Sequence, residues 1–157
     1  MFTTGQVTAM TDYNRLCAQL KSLTEGVPHQ IANLANASAL LWQNLPDLNW
    51  AGFYILCGDK LVLGPFQGKT ACIEIPLGKG VCGTAALQGK TVVVSNVHEF
   101  PGHIACDSAS NSEIVIPLYV NNALFGVLDI DSPVFNRFDE RDRQGLEQFA
   151  QLLQTNL

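Results

Sequence analysis

The sequence predicts an α+β fold, a mostly antiparallel central sheet with N- and C-terminal helices packed against it. Three observations carry this expectation. Apolar residues recur at three- and four-residue spacing near both ends of the chain and alternate with period two through its middle. The strand-like segments follow one another as meanders and hairpins, without a βαβ rhythm. Finally, 157 residues, 47% apolar and 15% charged, suffice for one well-buried core and are too few for two ordinary domains. A single domain over residues 1–157 is therefore expected: a helical segment near 13–45, a sheet with its loops over 49–131, and a helix over 139–157.

Each element has its own signal. From Tyr13 to Leu45, Leu16, Leu20 and Leu23 share helical spacing, as do Ile31, Leu34, Ser38 and Leu41; Gly26-Val27-Pro28 separates the two helices. Asn49 to Leu56 reads as a strand that turns at Cys57–Lys60 into a second strand, Leu61 to Pro65. Ala71 to Pro76 is a third. Gly78 to Gly83 is a glycine-rich turn, followed by a short helix over Thr84–Gln88 and a strand over Thr91–Ser95. Val97 to Asn111 reads as a long loop, and loops of that length in small domains are commonly functional. Glu113–Val120 and Leu124–Asp131 form a hairpin around Asn121-Asn122. In Asp139–Leu157, Leu146, Phe149 and Leu153 share one helical face.

The register of the last hairpin bears on chemistry. A strict two-residue turn at Asn121-Asn122 would place Val120 opposite Ala123 and set Ile114, Ile116 and Leu118 with Phe125, Val127 and Asp129, burying a charge in the apolar face. One more loop residue pairs Val120 with Leu124. Ile114, Ile116, Leu118 and Val120 then share a face with Leu124, Leu128 and Ile130, and the opposite face gathers Glu113, Asp129 and Asp131. Hydrophobic patterning favours the second register. In Asn49–Leu56 the same alternation points Trp50, Gly52 and Tyr54 one way, so that an indole and a phenol flank a glycine; they read either as the wall of a small pocket or, as aromatics more often do, as packing residues.

Composition excludes several classes. With a net charge of -5 and no run of Lys or Arg, the chain offers no surface for nucleic acid. No apolar run approaches the ~18 residues that span a bilayer, so no membrane partner is expected. Met1 to Arg15 lacks a basic region followed by an apolar one, which predicts a cytoplasmic protein.

Five cysteines remain, Cys17, Cys57, Cys72, Cys82 and Cys106. An odd count in a cytosolic chain does not read as a structural disulfide framework. No Cys-x-x-Cys pair and no helical spacing among His29, His98 and His103 suggests zinc. No metal and no bound cofactor are expected, and the thiols are left as packing residues or redox groups. Cys17, beside Leu16 and Leu20, reads as packing, and Cys57 as a turn residue. Gly78–Gly83 matches G-x-G-x-x-G, but without a βαβ unit a dinucleotide reading is weak. The bland alternative is a tight turn; a third is that it sets Cys82 at a helix N-terminus, where a thiolate is favoured. Cys106 sits in a small, polar stretch, His103 to Asn111, which reads either as a loop whose successive backbone N–H groups bind an oxygen or as the seat of an unrelated surface cysteine.

Together these pieces resemble the free methionine-R-sulfoxide reductases, enzymes built on a GAF domain. The matching stretches are Asn49–Tyr54, Leu61–Lys69, Ala71–Ala85, Gly102–Glu113 and Phe125–Asp131, within a likeness running from about Ala35 to the end. The resemblance implies that Cys106 is the nucleophile and that Cys72 and Cys82 are the candidate resolving thiols. It further implies that Trp50, Tyr54, Glu113, Asp129 and Asp131 line the substrate pocket. The implied cycle is attack on the sulfoxide sulfur, a sulfenic acid on Cys106, an intramolecular disulfide, and reset by thioredoxin. A carboxyl with a raised pKa, Glu113 or Asp131, would protonate the departing oxygen. Nearby carboxylates oppose a thiolate at Cys106; either loop N–H groups compensate or the proton leaves as substrate binds. A homodimer is also implied. The alternative is a GAF module that binds a small ligand or senses redox state without catalysis.

Overall fold

The computed structural model of the chain describes residues 10–104 and 106–157. The N-terminal stretch read above for a leader lies mostly outside the described residues, as does Ala105 of the Cys106 loop. The elements run α1 (Tyr13–Thr24), α2 (Gln30–Asn44), β1 (Trp50–Cys57), β2 (Lys60–Gly68), β3 (Glu74–Pro76), α3 (Gly80–Gln88), β4 (Val92–Val94), β5 (Ser112–Val120), β6 (Ala123–Ser132) and α4 (Glu140–Gln154).

The helix ends follow local chemistry. Asp12 caps α1 by accepting from the Arg15 N–H. Asp139 and Asp142 form a reciprocal capping box at the start of α4. Gly89 closes α3 in the left-handed conformation, φ 66°.

Six strands form one sheet in the order β3-β2-β1-β6-β5-β4, and every neighbouring pair is antiparallel. The sheet has two covered faces. Ala51 and Phe53 of β1, Ile114, Ile116 and Leu118 of β5, and Leu128 and Ile130 of β6 pack against α1, α2 and α4. The other face, with Trp50, Tyr54, Val115 and Val127, packs against α3 through Val81, Cys82, Ala85 and Ala86. Period two on the strands thus sorts the sheet residues into two cores.

Three details differ from the sequence reading. First, the β5–β6 turn is a strict two-residue turn, with Val120 opposite Ala123 and both Asn121 and Asn122 at positive φ. A register shift between Leu118 and Tyr119 follows, and from Leu118↔Gly126 inward the pairing is the favoured one, ending at Glu113↔Asp131. The extra residue sits in the strand and not in the loop. Leu124 consequently packs with the α3-side core and Phe125 with the helical core. Second, the third strand spans only Glu74–Pro76, because the chain before it turns away to carry Cys72. Third, α3 begins inside the glycine-rich turn, at Gly80, and takes Cys82 into its first turn.

Candidate active site

The site lies on the α3 side of the sheet. Asp129 and Asp131 rise from β6, with Gly52 and Trp50 as their partners on β1. Glu113 stands across from Asp131 on β5. The sequence-predicted gathering of the three carboxyls is present, and all three are buried, at 6%, 5% and 9% exposure for Glu113, Asp129 and Asp131. Trp50 stacks on Tyr54 at 5.7 Å between ring centroids and on Phe66 of β2 at 5.1 Å. Gly52 makes that second stack possible, since a Cβ there would overlap the Phe66 backbone and Cβ. The indole N–H donates to the Lys69 carbonyl (3.1 Å) and the Tyr54 hydroxyl to the Cys72 carbonyl (2.8 Å). These two bonds tie the chain after β2, which carries Cys72, to the aromatic wall.

Cys106 is joined to Cys72 by a disulfide, with Cα atoms 5.5 Å apart. Cys82 is a free, buried thiol whose Sγ lies 4.0 Å from Glu113 Oε2. The loop bearing Cys106 is latched to the start of β1. Asn49 Nδ2 donates to Asp107 Oδ2 (3.0 Å) and to Ser110 Oγ (2.9 Å). Asp107 Oδ1 accepts from the Ala109 N–H, and Asn111 Oδ1 pairs with His98 Nε2 at 2.8 Å.

One cavity of about 40 Å³ is lined by Trp50, Tyr54, Cys82, Cys106, Glu113, Asp129 and Asp131, with Lys79, His103, Asp107 and Ser110 completing its wall. Seven of the eight residues singled out from the sequence therefore meet in one place, and the eighth, Cys72, is bonded to Cys106. Asn49, Phe66, Lys79 and Ser110 were not singled out. Asn49 directly precedes Trp50 within a matching stretch, and that adjacency was the available signal.

Electrostatics divide the acids. Burial pushes Glu113 well above its ordinary range, and the charges of Asp129 and Asp131 push it further. Asp131 is likewise raised well above its usual value, by burial first and by Asp129 second. Asp129 is raised by burial, but hydrogen bonds from Glu113 and Cys82 favour its charged form. Asp129 is thus the member best able to ionise while its neighbours hold protons. Burial, followed by the charges of Asp129 and Glu113, lifts the Cys82 thiol well above its usual value. Burial and these charges thus oppose the thiolate that a helix N-terminus would favour. His103 is held below its ordinary value by burial and by His98.

Comparison with known proteins places these features in context. The GAF domain family profile matches residues 32–157. The free methionine-R-sulfoxide reductase of Escherichia coli (strain K12) is 56% identical over 142 residues, covering 90% of this chain and 86% of its own. The reduced form of fRMsr of Staphylococcus aureus superposes with a TM-score of 0.93 at 49% identity, covering 100% of this chain and 99% of that one. Free methionine-R-sulfoxide reductase from Neisseria meningitidis, solved in complex with its substrate, superposes with a TM-score of 0.89 at 44% identity, over 92% and 87% of the two chains.

Proposed function

Since the chain belongs to the GAF-domain free methionine-R-sulfoxide reductases, we propose that its pocket reduces free methionine-R-sulfoxide to methionine with Cys106 as nucleophile and Cys72 as the main resolving thiol. The observation that carries this reading is the Cys72–Cys106 disulfide at a pocket floored by three buried carboxyls and walled by Trp50 and Tyr54.

The substrate's methyl-sulfur end packs on the Trp50 and Tyr54 rings, which suit a polarisable sulfur group. Its ammonium meets Asp129, the carboxyl most ready to ionise. An ammonium site requires a free α-amino group, and the small closed cavity leaves no room for chain beyond the carboxylate, which together favour the free amino acid over peptides. Lys79, which precedes α3, and the uncapped first turn of that helix stand on the cavity wall for the substrate carboxylate. Selection of the R epimer is taken from the family.

In the chemical step the Cys106 sulfur attacks the sulfoxide sulfur while Glu113 or Asp131 passes a proton to the sulfoxide oxygen. That oxygen ends on Cys106 as a sulfenic acid, and methionine departs reduced by two electrons. The Cys72 thiol then attacks the Cys106 sulfur, forming the S–S bond and releasing the oxygen as water. An external dithiol, which we take to be thioredoxin, reduces the disulfide and is itself oxidised. Cys82 is less suited to resolve, because its thiol is buried and its pKa is pushed up. Two carboxyls held as acids and a third facing an ammonium leave little negative charge to oppose a thiolate at Cys106. Exposed Leu23, Ile31 and Trp42 on α1 and α2 support a homodimer through those helices. Among the described residues no helix is long and apolar enough to cross a membrane.

The test is thioredoxin-coupled NADPH oxidation with the R and S epimers of free methionine sulfoxide. Turnover is expected with the R epimer, none with the S, and none in Cys106→Ser. Consumption of NADPH by Cys106→Ser at the wild-type rate would remove Cys106 from its role. Inactivity of the intact, reduced protein with both thioredoxin and a small dithiol would leave the ligand-binding reading.

A further inference from the structure

We propose that Cys82, Glu113 and Asp129 form a site for a thiophilic divalent cation, zinc or a close substitute, and that such a cation inhibits the enzyme by taking the place of the substrate's ammonium group. The inhibitory part rests on the substrate pocket assigned above; the binding part stands without it.

The three side chains come from α3, β5 and β6, so no spacing in the sequence announces them. Their donor atoms, one sulfur and two carboxylate oxygens, all lie within 4.8 Å of one another. Zinc, with a Zn–S bond of about 2.3 Å and Zn–O bonds of about 2.1 Å, holds tetrahedral ligand atoms roughly 3.5 Å apart. A small contraction of the cluster meets that geometry.

A second observation also points to a cation. Asp129 is 5% exposed, and although Glu113 and Cys82 approach its carboxyl, its Oδ1 is buried without a hydrogen-bond partner among the described residues, so one of its two oxygens stays open. Buried acceptors are ordinarily satisfied, and this one belongs to a side chain on the cavity wall. Among the described residues no lysine or arginine forms an ion pair with the cluster. Lys79 lines the same cavity but pairs with none of the three, so the cluster gathers acidity with no cation bound to it, an arrangement that suits an incoming ammonium or a metal ion.

The donor set selects the metal. A thiolate with two carboxylates favours zinc, cadmium or cobalt, whereas magnesium prefers six oxygens and gives up its water reluctantly. Binding displaces the Cys82 proton and any carboxyl protons to solvent, so affinity falls as the pH falls. Asp131 from β6, Tyr54 from β1, Lys79 ahead of α3, and His103 and Asp107 from the loop are the other titratable groups lining the same cavity, with Cys106 held in the disulfide.

The experiment is a cobalt(II) titration of the oxidised protein, with the Cys72–Cys106 disulfide intact and the exposed Cys57 replaced by Ser. One cobalt per chain is expected, with a thiolate-to-cobalt charge-transfer band in the near ultraviolet and tetrahedral d–d bands in the visible. Zinc should displace it and a large excess of magnesium should not. Cys82→Ser should lose the charge-transfer band, and Asp129→Asn, which keeps the thiol, should bind at least tenfold more weakly. Apparent affinity should fall about tenfold per pH unit for each proton displaced. No band, a band that persists in Cys82→Ser, or equal displacement by magnesium overturns the site. In steady-state assays zinc should raise the KM for methionine sulfoxide and leave kcat unchanged; unchanged KM with zinc bound overturns the inhibition. Inactivity of the metal-free enzyme would strike the reductase reading instead, and would leave the cobalt result to be judged alone.

Discussion

Buried carboxyl groups retain protons that the unfolded chain would give up. Glu113 shows the consequence most clearly, because its pKa in the fold is well above the ordinary 4.5, through burial first and through Asp129 and Asp131 second. Between those two values the folded state binds more protons than the unfolded one, so this group's contribution to stability is full below about pH 4.5 and is lost as pH rises through the folded pKa. Glu113→Gln removes the titration and keeps the shape. We expect the variant to melt above the wild type near pH 8, by about 2–4 °C for each kcal/mol relieved, and the gap to close as the pH approaches 4.5. Its reductase turnover should fall by about 10²-fold if Glu113 is the acid. Thermal melts across the pH range and coupled assays check the two halves separately. A variant that melts below the wild type at pH 8 would show that the carboxyl is not strained by its setting. The residue would then have been kept for its packing, whereas the expected result makes it a group retained at some expense in stability.

At the scale of elements, the β1–β2 pair decides whether the aromatic wall exists. A register shift between Gly52 and Tyr54 brings Phe66 opposite Gly52, where a side chain at position 52 would collide with it. Gly52→Ala should force β2 away from β1, separate Phe66 from Trp50 and cost about 1–3 kcal/mol by crowding a packed site. Denaturant melts measure the loss, and a red shift of the tryptophan emission in the folded variant would report the opened wall. An unchanged midpoint would mean that the strands can repack around a methyl group. Alternation in Asn49–Leu56 already placed Trp50, Gly52 and Tyr54 on one face, and patterning in the last hairpin placed Glu113 with Asp129 and Asp131. Both inferences needed only period two and a preference for apolar burial. The bulge that sets Phe125 aside was not legible, because periodicity fixes the register of a strand but does not say where an extra residue is stored. The Asn49 bonds to Asp107 and Ser110 cross 58 and 61 residues, and no local pattern encodes such partners. The upward push on the Cys82 thiol comes from burial and from carboxyls on β5 and β6, which the helix start seen in the sequence does not reveal. The roles of the three cysteines came from family resemblance and from no pattern in the residues.

At the scale of the whole molecule, the two faces of the sheet are covered by different parts of the chain. Helices α1, α2 and α4 cover one face. The cover of the other, α3 and the loop to Cys106, falls between Cys72 and Cys106, a stretch that also holds the two edge strands β3 and β4. The disulfide therefore brackets one layer, across a sequence separation of 34. Closing a loop of that size removes about 4 kcal/mol of chain entropy from its opened states in the simplest account. That restraint acts on the bracketed layer and is absent from the helical one. Each catalytic cycle would thus tighten the wall of its own pocket on oxidation and loosen it on reduction, and the looser state is the one that must admit substrate. Hydrogen exchange followed by mass spectrometry on the oxidised and reduced protein tests this directly. Peptides from α3 and β4 should exchange at least tenfold faster after reduction, while those from α1, α2 and α4 stay within twofold. Equal acceleration in both layers would show that the sheet transmits the restraint as one cooperative unit. The disulfide would then stabilise the fold without giving the pocket side a redox-dependent mobility of its own.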